Sequence, residues 1–536
     1  MSLSVKYIDV PIGAQEDAQT SATESQPFGS GLQIAFGAFD VPYATLEPLS
    51  WSLDGSRTLF NERPNNVGWW SKQRTESNGR FNKPPVISVA FSQPYTATGI
   101  TFSFWPALNQ WCNLIEVTWY NGQEILAHTE ASPDSADWIL KYAVESFDKI
   151  EIKILGTSVP GQFAKMQHIQ IGQVVVFMQD ELTRVSLLNE VDPGLCELSA
   201  DTMTIEILEK KDRALLPQKN QEMYMIHNGV QVAAQYITES SRENQRRYIF
   251  KCQSAVGRLE DEFLGGVYNA YSIDLLLSAI LEGFNADWES FAGQTITGYL
   301  PVCTRREALQ QIAFAIGAAV TTQGDGTIRL IPLSDENETE LTGSDIFPGA
   351  KLVREAQTAT VKVCAHNYTK SDEIEKLLEN ENVNSNAVLY LFDSPHYDYE
   401  INGGTIENYG ENWVQITASG EVTVTGKKYI HSVSVRKMEN PYATAAEKGN
   451  VISVENATLI NSENVDDALN RLYDFCALKN VLTEEIIVNG QKAGQKVNSH
   501  NPWGGITTGF ITRMESDFTG SGHTANVEIR GKEVLA

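Results

Sequence analysis

Carboxylates and one histidine gather in the segment LFDSPHYDYE, where a hydrolytic site would need them. Asp393, Asp398 and Glu400 surround His396, and a pair of carboxylates is the machinery of glycoside hydrolysis. The alternative, which we favour, is a polar loop between strands. The eight histidines show neither H-x-x-x-H nor H-E-x-x-H spacing, and no G-x-S-x-G elbow or phosphate-binding loop of the Walker type occurs. We therefore predict no enzymatic activity, no metal site and no cofactor.

Aromatic side chains suggest a second chemistry, the binding of sugars. An indole face packs on the apolar face of a pyranose, and a guanidinium or amide group meets the sugar hydroxyls. The residues that this chemistry would use are Trp69, Trp70, Arg74, Trp105 and Trp111. The alternative is that these tryptophans fill the core of a sandwich or a subunit interface.

Two adjacent arginines, Arg305 and Arg306, stand at the start of a predicted helix, where the helix dipole disfavours cations. Thr304 and Glu307 have the spacing of a capping box. Apolar residues follow at helical spacing, and Gly317 can close the helix in a left-handed conformation. Because the chain is acidic, we predict that one of the two arginines pairs with a carboxylate of another domain or subunit.

Composition limits the class of protein. The 536 residues carry a formal net charge of −27, which disfavours binding to nucleic acid or to an anionic membrane face. Six singly spaced cysteines are expected to be reduced and mostly buried. No secretory signal is evident, and the longest apolar run, Ile312 to Val320, is too short to span a bilayer. These features predict a chain without a membrane-spanning segment, made in a reducing cytoplasm.

The first third of the chain predicts an arm and a sandwich. Residues 1–31, small and polar from Gly13 onward, are expected to form a flexible arm. Residues 32–172 alternate strand-like runs with turns, as in a β-sandwich. The runs PPVISVAFSQPYTATGITFSFWP, CNLIEVTWYNGQEILAHTE and FDKIEIKILG, with LDG at 53–55 upstream of the paired tryptophans, resemble the galactose-binding-like, discoidin-type jelly roll. The resemblance implies the fold of this segment.

The remaining two thirds predict strands with short helices between them. Residues 173–254 read as strands, 255–350 as a helical connector with a β-hairpin, and 351–536 as long strands with an amphipathic helix at 464–479. Within this part, Ser371–Asn384 is predicted as a charged loop or short exposed helix. Asp335–Glu340 is predicted as an acidic linker.

The order of NEVDP, YIFKCQSAVGRLEDEFLGGVY, LLLSAIL and GYLPVCTRREALQQIAFAIGA resembles the hub proteins of phage tails and of their prophage or tailocin relatives in low-GC Gram-positive bacteria. The resemblance implies that 173–254 and 351–536 are two tail-tube-like β-barrel domains. The expected fold class is therefore mainly β with small helical insertions: an N-terminal jelly-roll sandwich followed by two tail-tube-like barrels.

That family implies a structural function. Copies of the chain, three by analogy, would form a homotrimeric ring at the host-facing tip of a virion or phage-like tail. The ring would join distal tail or tube proteins to spike and baseplate proteins, and its acidic surface would repel DNA sliding through it. One alternative is a module that binds a cell-surface glycan during host attachment. A third reading is a polysaccharide-degrading enzyme.

Overall fold

The computed structural model describes residues 3–25, 47, 68–105, 109–210, 215, 217–244, 246–332, 339–519 and 522–534. Strands make up most of this part of the chain, and its helices are short. The predicted fold class, mainly β with small helical insertions, is confirmed. The LDG segment at 53–55 and most of the predicted acidic linker lie outside the described residues.

A sandwich of two facing sheets occupies the first third of the chain. The elements up to residue 171 are β1 (Leu3–Asp9), α1 (Ala14–Asp17), β2 (Gln19–Ala22), β3 (Trp69–Arg74), β4 (Val86–Ala97), β5 (Ile100–Ser103), β6 (Leu114–Asn121), β7 (Glu124–Ala131), β8 (Asp137–Leu140), β9 (Val144–Gly156), β10 (Phe163–Met166) and β11 (His168–Ile171). The order β2-β4-β9-β6-β7 forms one sheet and β11-β5-β8 the other. Ile87, Val117 and Ile152 from the first meet Phe102 and Ile169 from the second in one core.

The middle of the chain contains strands followed by two helices. Its elements are β12 (Gln173–Met178), β13 (Leu182–Glu190), β14 (Thr202–Leu208), β15 (Glu222–His227), β16 (Val230–Arg242), β17 (Arg247–Gln253), β18 (Glu262–Phe263), β19 (Gly266–Ser272), α2 (Ile273–Ile280), β20 (Ala286–Asp287), β21 (Thr295–Leu300), β22 (Cys303–Thr304), α3 (Arg305–Ile316), β23 (Ala318–Thr321) and β24 (Ile328–Pro332).

Long strands and one helix complete the chain. They are β25 (Thr339–Leu341), β26 (Lys351–Arg354), β27 (Thr360–Leu391), β28 (His396–Gly410), β29 (Trp413–Glu439), β30 (Val451–Val454), α4 (Val465–Cys476), β31 (Asn480–Ile487), β32 (Lys496–His500), β33 (Ile506–Thr519) and β34 (Gly522–Val534).

One sheet of 13 strands joins the segments that the resemblance assigns to two barrels. Its path runs β12-β1-β15-β16-β17-β14-β13-β33-β34-β31-β26, with β32 beside β33 and β25 beside β32. β13 and β33 join the halves in the register Ser186↔Asp517 to Glu190↔Arg513. Each half keeps its own apolar core. β12 and β26 end the path, and no pairing among the described residues joins them, so the described strands form a single open sheet; the division into two barrel domains stays a prediction.

The first strand corrects the prediction of an arm over residues 1–31. Leu3, Val5 and Tyr7 point inward and are buried, and β1 pairs with β12 on one side and β15 on the other. β2 also pairs, with β4, although its side chains are largely exposed. The polar composition suggested an arm, but strands pair through backbone groups, which composition does not report.

The sandwich is an insertion between two neighbouring strands of the 13-stranded sheet. The chain leaves the sheet at Asp9 and returns at Gln173, and these two residues are partners in the β1–β12 register. Asp9 is buried. Its carboxylate lies 3.0 Å from the Tyr7 hydroxyl and 3.3 Å from Gln221 Nε2, and it accepts a hydrogen bond from Thr98 of the sandwich. This network ties the insertion to the sheet.

Three helices share one apolar core. The predicted capping box of α3 is confirmed: the Thr304 hydroxyl accepts a hydrogen bond from the Glu307 N–H (3.1 Å), and Glu307 Oε2 accepts one from the Thr304 N–H (2.8 Å). The predicted C-terminal Gly317 has φ 74°. The helix predicted at 464–479 is α4, which packs mainly against β27 and β29 and belongs to the same apolar core as α2 and α3, rather than to the core of the second half of the sheet.

The prediction of a loop or helix at Ser371–Asn384 is wrong, because the segment belongs to β27. It pairs with β29 through several bulges, for instance between Lys376 and Leu378 and between Leu378 and Glu381. Each bulge breaks the alternation of inward and outward residues by which a strand is read from sequence. Its charged residues face solvent.

β27, β28 and β29 fold over on themselves. Leu391 pairs with Trp413 and His396 pairs with Lys428. The five-residue step from Leu391 to His396 reaches at most about 18 Å, which is much less than the length of a straight strand from Trp413 to Lys428. The strands must therefore bend between these points, and the register of β28 shifts at Gly403. The bend encloses a core of five aliphatic residues, Val383, Val414, Ile416, Val422 and Val424. We call this unit the bent sheet, residues 371–430.

Cysteine state and membrane character follow from the same structure. Cys112, Cys196, Cys252 and Cys364 are buried, Cys303 and Cys476 are half-buried, and all six are free thiols. The prediction of reduced, mostly buried cysteines is confirmed. In the described residues, no helix combines the length and the apolar character needed to cross a bilayer.

Candidate functional site

The residues predicted to bind sugars lie in and around three strands of the sandwich. β3 carries Trp69, Trp70 and Arg74, Trp105 follows β5, and Trp111 precedes β6. Trp69 is 0% exposed, and Trp70 and Trp105 are each 1% exposed. The structure thus brings Trp70 and Trp105 together, but in the interior of the domain.

Trp70 and Trp105 enclose the ammonium group of Lys165 on β10. The two rings meet edge to face, with centroids 5.4 Å apart and an angle of 86°. Lys165 Nζ lies 5.0 Å from the centroid of Trp70 and 6.0 Å from that of Trp105, within the range of a cation–π contact. The aromatic surface that a pyranose would use is therefore occupied by a side chain of the same domain.

A buried carboxylate balances this cation. Glu47 Oε2 lies 2.7 Å from Lys165 Nζ, and the two side chains are 0% and 1% exposed. Gln110 Oε1 accepts a further hydrogen bond from Nζ at 2.9 Å, and the Phe163 N–H donates to Glu47 Oε1 at 2.8 Å. Burial lowers the pKa of Lys165, against the opposing effect of Glu47. We call Glu47, Trp70, Trp105, Gln110 and Lys165 the lysine cage.

The other two predicted sugar-binding residues are more accessible. Trp111 is half-buried against the sandwich core. Arg74 is exposed, and its guanidinium lies 5.8 Å from the ring centroid of Phe163. The burial of three of the five residues favours the packing alternative.

The ion pair of the lysine cage could not be predicted from the sequence. Glu47 and Lys165 are 118 positions apart, and no pattern in the sequence links them.

Arg305 and Arg306 are both held within the chain. Arg305 lies 3.7 Å from Asp261 and donates to the carbonyls of Ile280 (2.5 Å) and Glu282 (2.6 Å). Arg306 lies 3.5 Å from Glu260 and donates to the carbonyl of Leu198 (2.9 Å). The paired carboxylates belong to the same predicted connector, 255–350. Only the bond to Leu198 crosses into the preceding segment, and it uses a carbonyl, so pairing with another subunit stays a prediction.

The acidic segment around His396 is divided among separate contacts. His396 is buried, with Nε2 3.1 Å from Glu375 and Nδ1 2.9 Å from the Ser394 carbonyl. Asp398 pairs with Lys427 at 2.8 Å. Among the described residues, no group of three or more His, Cys, Asp or Glu side chains is placed to hold a metal ion.

Asp201, which directly precedes β14, has a buried carboxyl group and was not predicted as a site residue from the sequence. Its side chain accepts hydrogen bonds from the Glu190 N–H (3.1 Å) and the Thr322 hydroxyl (2.8 Å). Its carbonyl accepts one from the Ser254 N–H at 2.8 Å. Burial raises the pKa of Asp201 to about 6, although the bond from Thr322 opposes the shift. The residue ties β13, β14, β17 and the hairpin after α3 together.

The two ends of the 13-stranded sheet carry exposed apolar side chains. On β12, Val176 is 44% and Met178 51% exposed, and on β26, Val353 is 40% exposed. Among the described residues, β12 bonds only β1 and β26 bonds only β31. A strand with an unpaired edge can take up another strand. These two edges are therefore the candidate assembly surfaces of the chain.

Comparison with known proteins finds similarity only at the level of solved structures. No protein-family model matches the sequence, and no curated protein matches it. The 43 kDa tail protein of prophage MuSo2 from Shewanella oneidensis is 11% identical, and the match covers 66% of this chain and 95% of that one with a TM-score of 0.41. A tail protein from Neisseria meningitidis MC58 is 12% identical, with coverages of 67% and 94% and a TM-score of 0.41.

A third structure overlaps with a smaller part of the chain. The family 32 carbohydrate-binding module of C. perfringens NanJ, solved with galactose, is 15% identical and matches 32% of this chain and 99% of its own, with a TM-score of 0.19. These identities and TM-scores are too low for the functions of the three proteins to be transferred to this chain.

Proposed function

We propose that the chain is a structural hub protein of a phage or phage-like tail, and that three copies form a ring. The ring would join tail-tube proteins to baseplate and spike proteins at the host-facing tip. The resemblance of the chain from about residue 173 to residue 536 to hub proteins motivates the proposal, and its most specific part is Tyr299–Ala318. The observation that carries it is the 13-stranded sheet, whose two end strands carry exposed apolar side chains and have no strand partner on their outer edges among the described residues.

Two different edges on one chain favour a closed ring. If β12 of one copy met β26 of the next, the contact would be heterologous, and such contacts close into a ring when the rotation between copies allows it. Pairing would cover Val176, Met178 and Val353, which one copy alone leaves in water. Ring closure removes sheet edges, which are otherwise sites of aggregation.

Light scattering coupled to size-exclusion chromatography tests this proposal. We expect the wild-type chain to elute as a trimer and to appear as rings in negative-stain electron micrographs. Val176→Lys with Met178→Lys should give monomers, because charges on an edge strand oppose strand addition.

The matched control is Val230→Lys. Val230 is 64% exposed in the same sheet, at the turn between β15 and β16 and away from both edges. This variant should remain trimeric. A wild-type chain that is monomeric at every concentration would overturn the proposal.

A further inference from the structure

β30 leaves one edge without a strand partner. It pairs in parallel with β27 from Thr360↔Val451 to Val363↔Val454 and is the last strand of its four-stranded sheet. Among the described residues, no strand bonds its other edge. Val451 is 43% exposed, whereas Val454 packs against the helical core. β30 is therefore held in place by its contact with the helical core, and part of it is exposed to solvent.

A groove runs along this edge. One cavity of about 690 Å³ lies elsewhere, between the β23–β24 hairpin and the loop that precedes β32. A second cavity, of about 540 Å³, lies between β30 and α3. Glu307, Gln310 and Phe314 line it at helical spacing on one side, and Val454 lines it on the other. A third cavity, of about 330 Å³, shares Leu195 with the second and extends to Ile452 of β30. We call the second and third cavities together the β30 groove.

The charge of the larger cavity of this groove has one sign. Glu197, Glu307 and Glu455 line it, and the described residues around it include no lysine, arginine or histidine. All three glutamates are exposed. Val302 and Val454, both half-buried, supply apolar surface between them, and Phe314 lies beneath this surface at 5% exposure. The wall is thus mixed acidic and apolar beside an unpaired strand edge.

We propose that the β30 groove binds an extended segment of a partner protein, in which apolar and cationic residues alternate, as an added strand on β30. The backbone of the guest would bond the free edge, which is recognition by strand addition. Successive side chains of a strand point to opposite sides, so apolar residues would contact Val302 and Val454 while cationic residues approach the glutamates. The proposal does not depend on ring formation.

Fluorescence anisotropy with a labelled peptide of alternating lysine and valine tests the groove in the full chain. We expect binding that weakens as salt rises. Glu197→Gln, Glu307→Gln and Glu455→Gln together should weaken binding about tenfold, since each lost charge removes a modest contribution. Glutamine at position 307 preserves the capping box, so α3 is retained.

The matched control removes three charges elsewhere. Glu400→Gln, Glu407→Gln and Glu421→Gln, all exposed on the bent sheet, change the net charge equally and should alter binding by less than about twofold. A peptide with glutamate in place of lysine should not bind. Equal losses in both triple variants, or no binding of the lysine peptide, would overturn the proposal.

Hydrogen exchange locates the contact. Within residues 451–454, the amides that face away from β27 should exchange more slowly when the lysine peptide is bound, because an added strand bonds that edge. Protection confined to other segments would overturn the proposal. Protection of the same amides in the protein alone, rising with its concentration, would overturn it too, since a second copy would then occupy the edge.

Discussion

Lys165 shows how a single residue can reverse the interpretation of its neighbours. Trp70 and Trp105 have the type and clustering of a sugar-binding platform, yet their rings surround the ammonium group of Lys165, which Glu47 neutralises. Sequence patterns report tryptophans but not which side chain lies against them. Only the folded chain reveals the lysine cage.

Replacing Lys165 tests the cage as a stabilising unit. Lys165→Met leaves Glu47 buried without its partner, so the free energy of unfolding should fall by about 3–5 kcal/mol. Urea denaturation followed by tryptophan fluorescence measures it. The control, Lys153→Met, breaks the Lys153–Glu116 pair on the surface of the same sandwich, where Lys153 is 44% exposed, and should cost at most about 1 kcal/mol. Equal effects of the two variants would contradict the expectation.

Asp201 makes stability depend on pH. Because burial raises its pKa to about 6, its stabilising contribution is complete below the ordinary pKa of 3.8 and is lost as pH rises through 6. Asp201→Asn keeps the acceptor oxygen without the charge. Its free energy of unfolding should match that of wild type near pH 4 and exceed it by about 3 kcal/mol at pH 7.

Denaturation profiles of the two proteins across this pH range provide the measurement. Their difference isolates Asp201 from the other titrating groups. Asp345→Asn serves as the control, because Asp345 has a pKa held below its ordinary value by hydrogen bonds from Thr342. A difference between Asp201→Asn and wild type that did not grow with pH would contradict the role assigned to burial.

At the scale of elements, the bent sheet depends on the fold-over at Gly403. Its φ is 90°, and a Cβ atom there would lie 2.2 Å from the carbonyl oxygen of Glu421. Gly403→Ala should therefore destabilise the protein by more than about 1 kcal/mol. Gly449→Ala is the control, because that position has open space around a Cβ. The midpoint temperatures of thermal unfolding of the two variants test this expectation. Equal midpoints would contradict the close approach at Gly403.

Local and long-range information explain which elements were predictable. α3 was predicted with both ends because its capping box and Gly317 lie within a few residues of the helix they terminate. β27 was missed between Ser371 and Asn384 because its bulges are set by pairing with β29, about 35 to 53 positions later along the chain. A strand read alone shows only that its alternation is broken, and does not show that a bulge is the cause.

At the scale of the whole molecule, sequence indicated strands but not their neighbours. No local sequence pattern specifies that β1 pairs with β15, more than 200 positions away. The same is true of β13 and β33, which are more than 300 positions apart. The candidate sites share this limit, because the lysine cage and the β30 groove each combine residues from distant segments.

Because the sandwich is inserted between Asp9 and Gln173, it could be replaced without changing the large sheet. Because these residues face each other on adjacent strands, recombination that replaced residues 10–172 with another compact domain would leave every strand pair of the large sheet in place. A tight turn across the gap would do the same, since adjacent antiparallel strands need only a short connection. The sandwich can therefore be exchanged or removed while the sheet that carries it keeps its strand pairs.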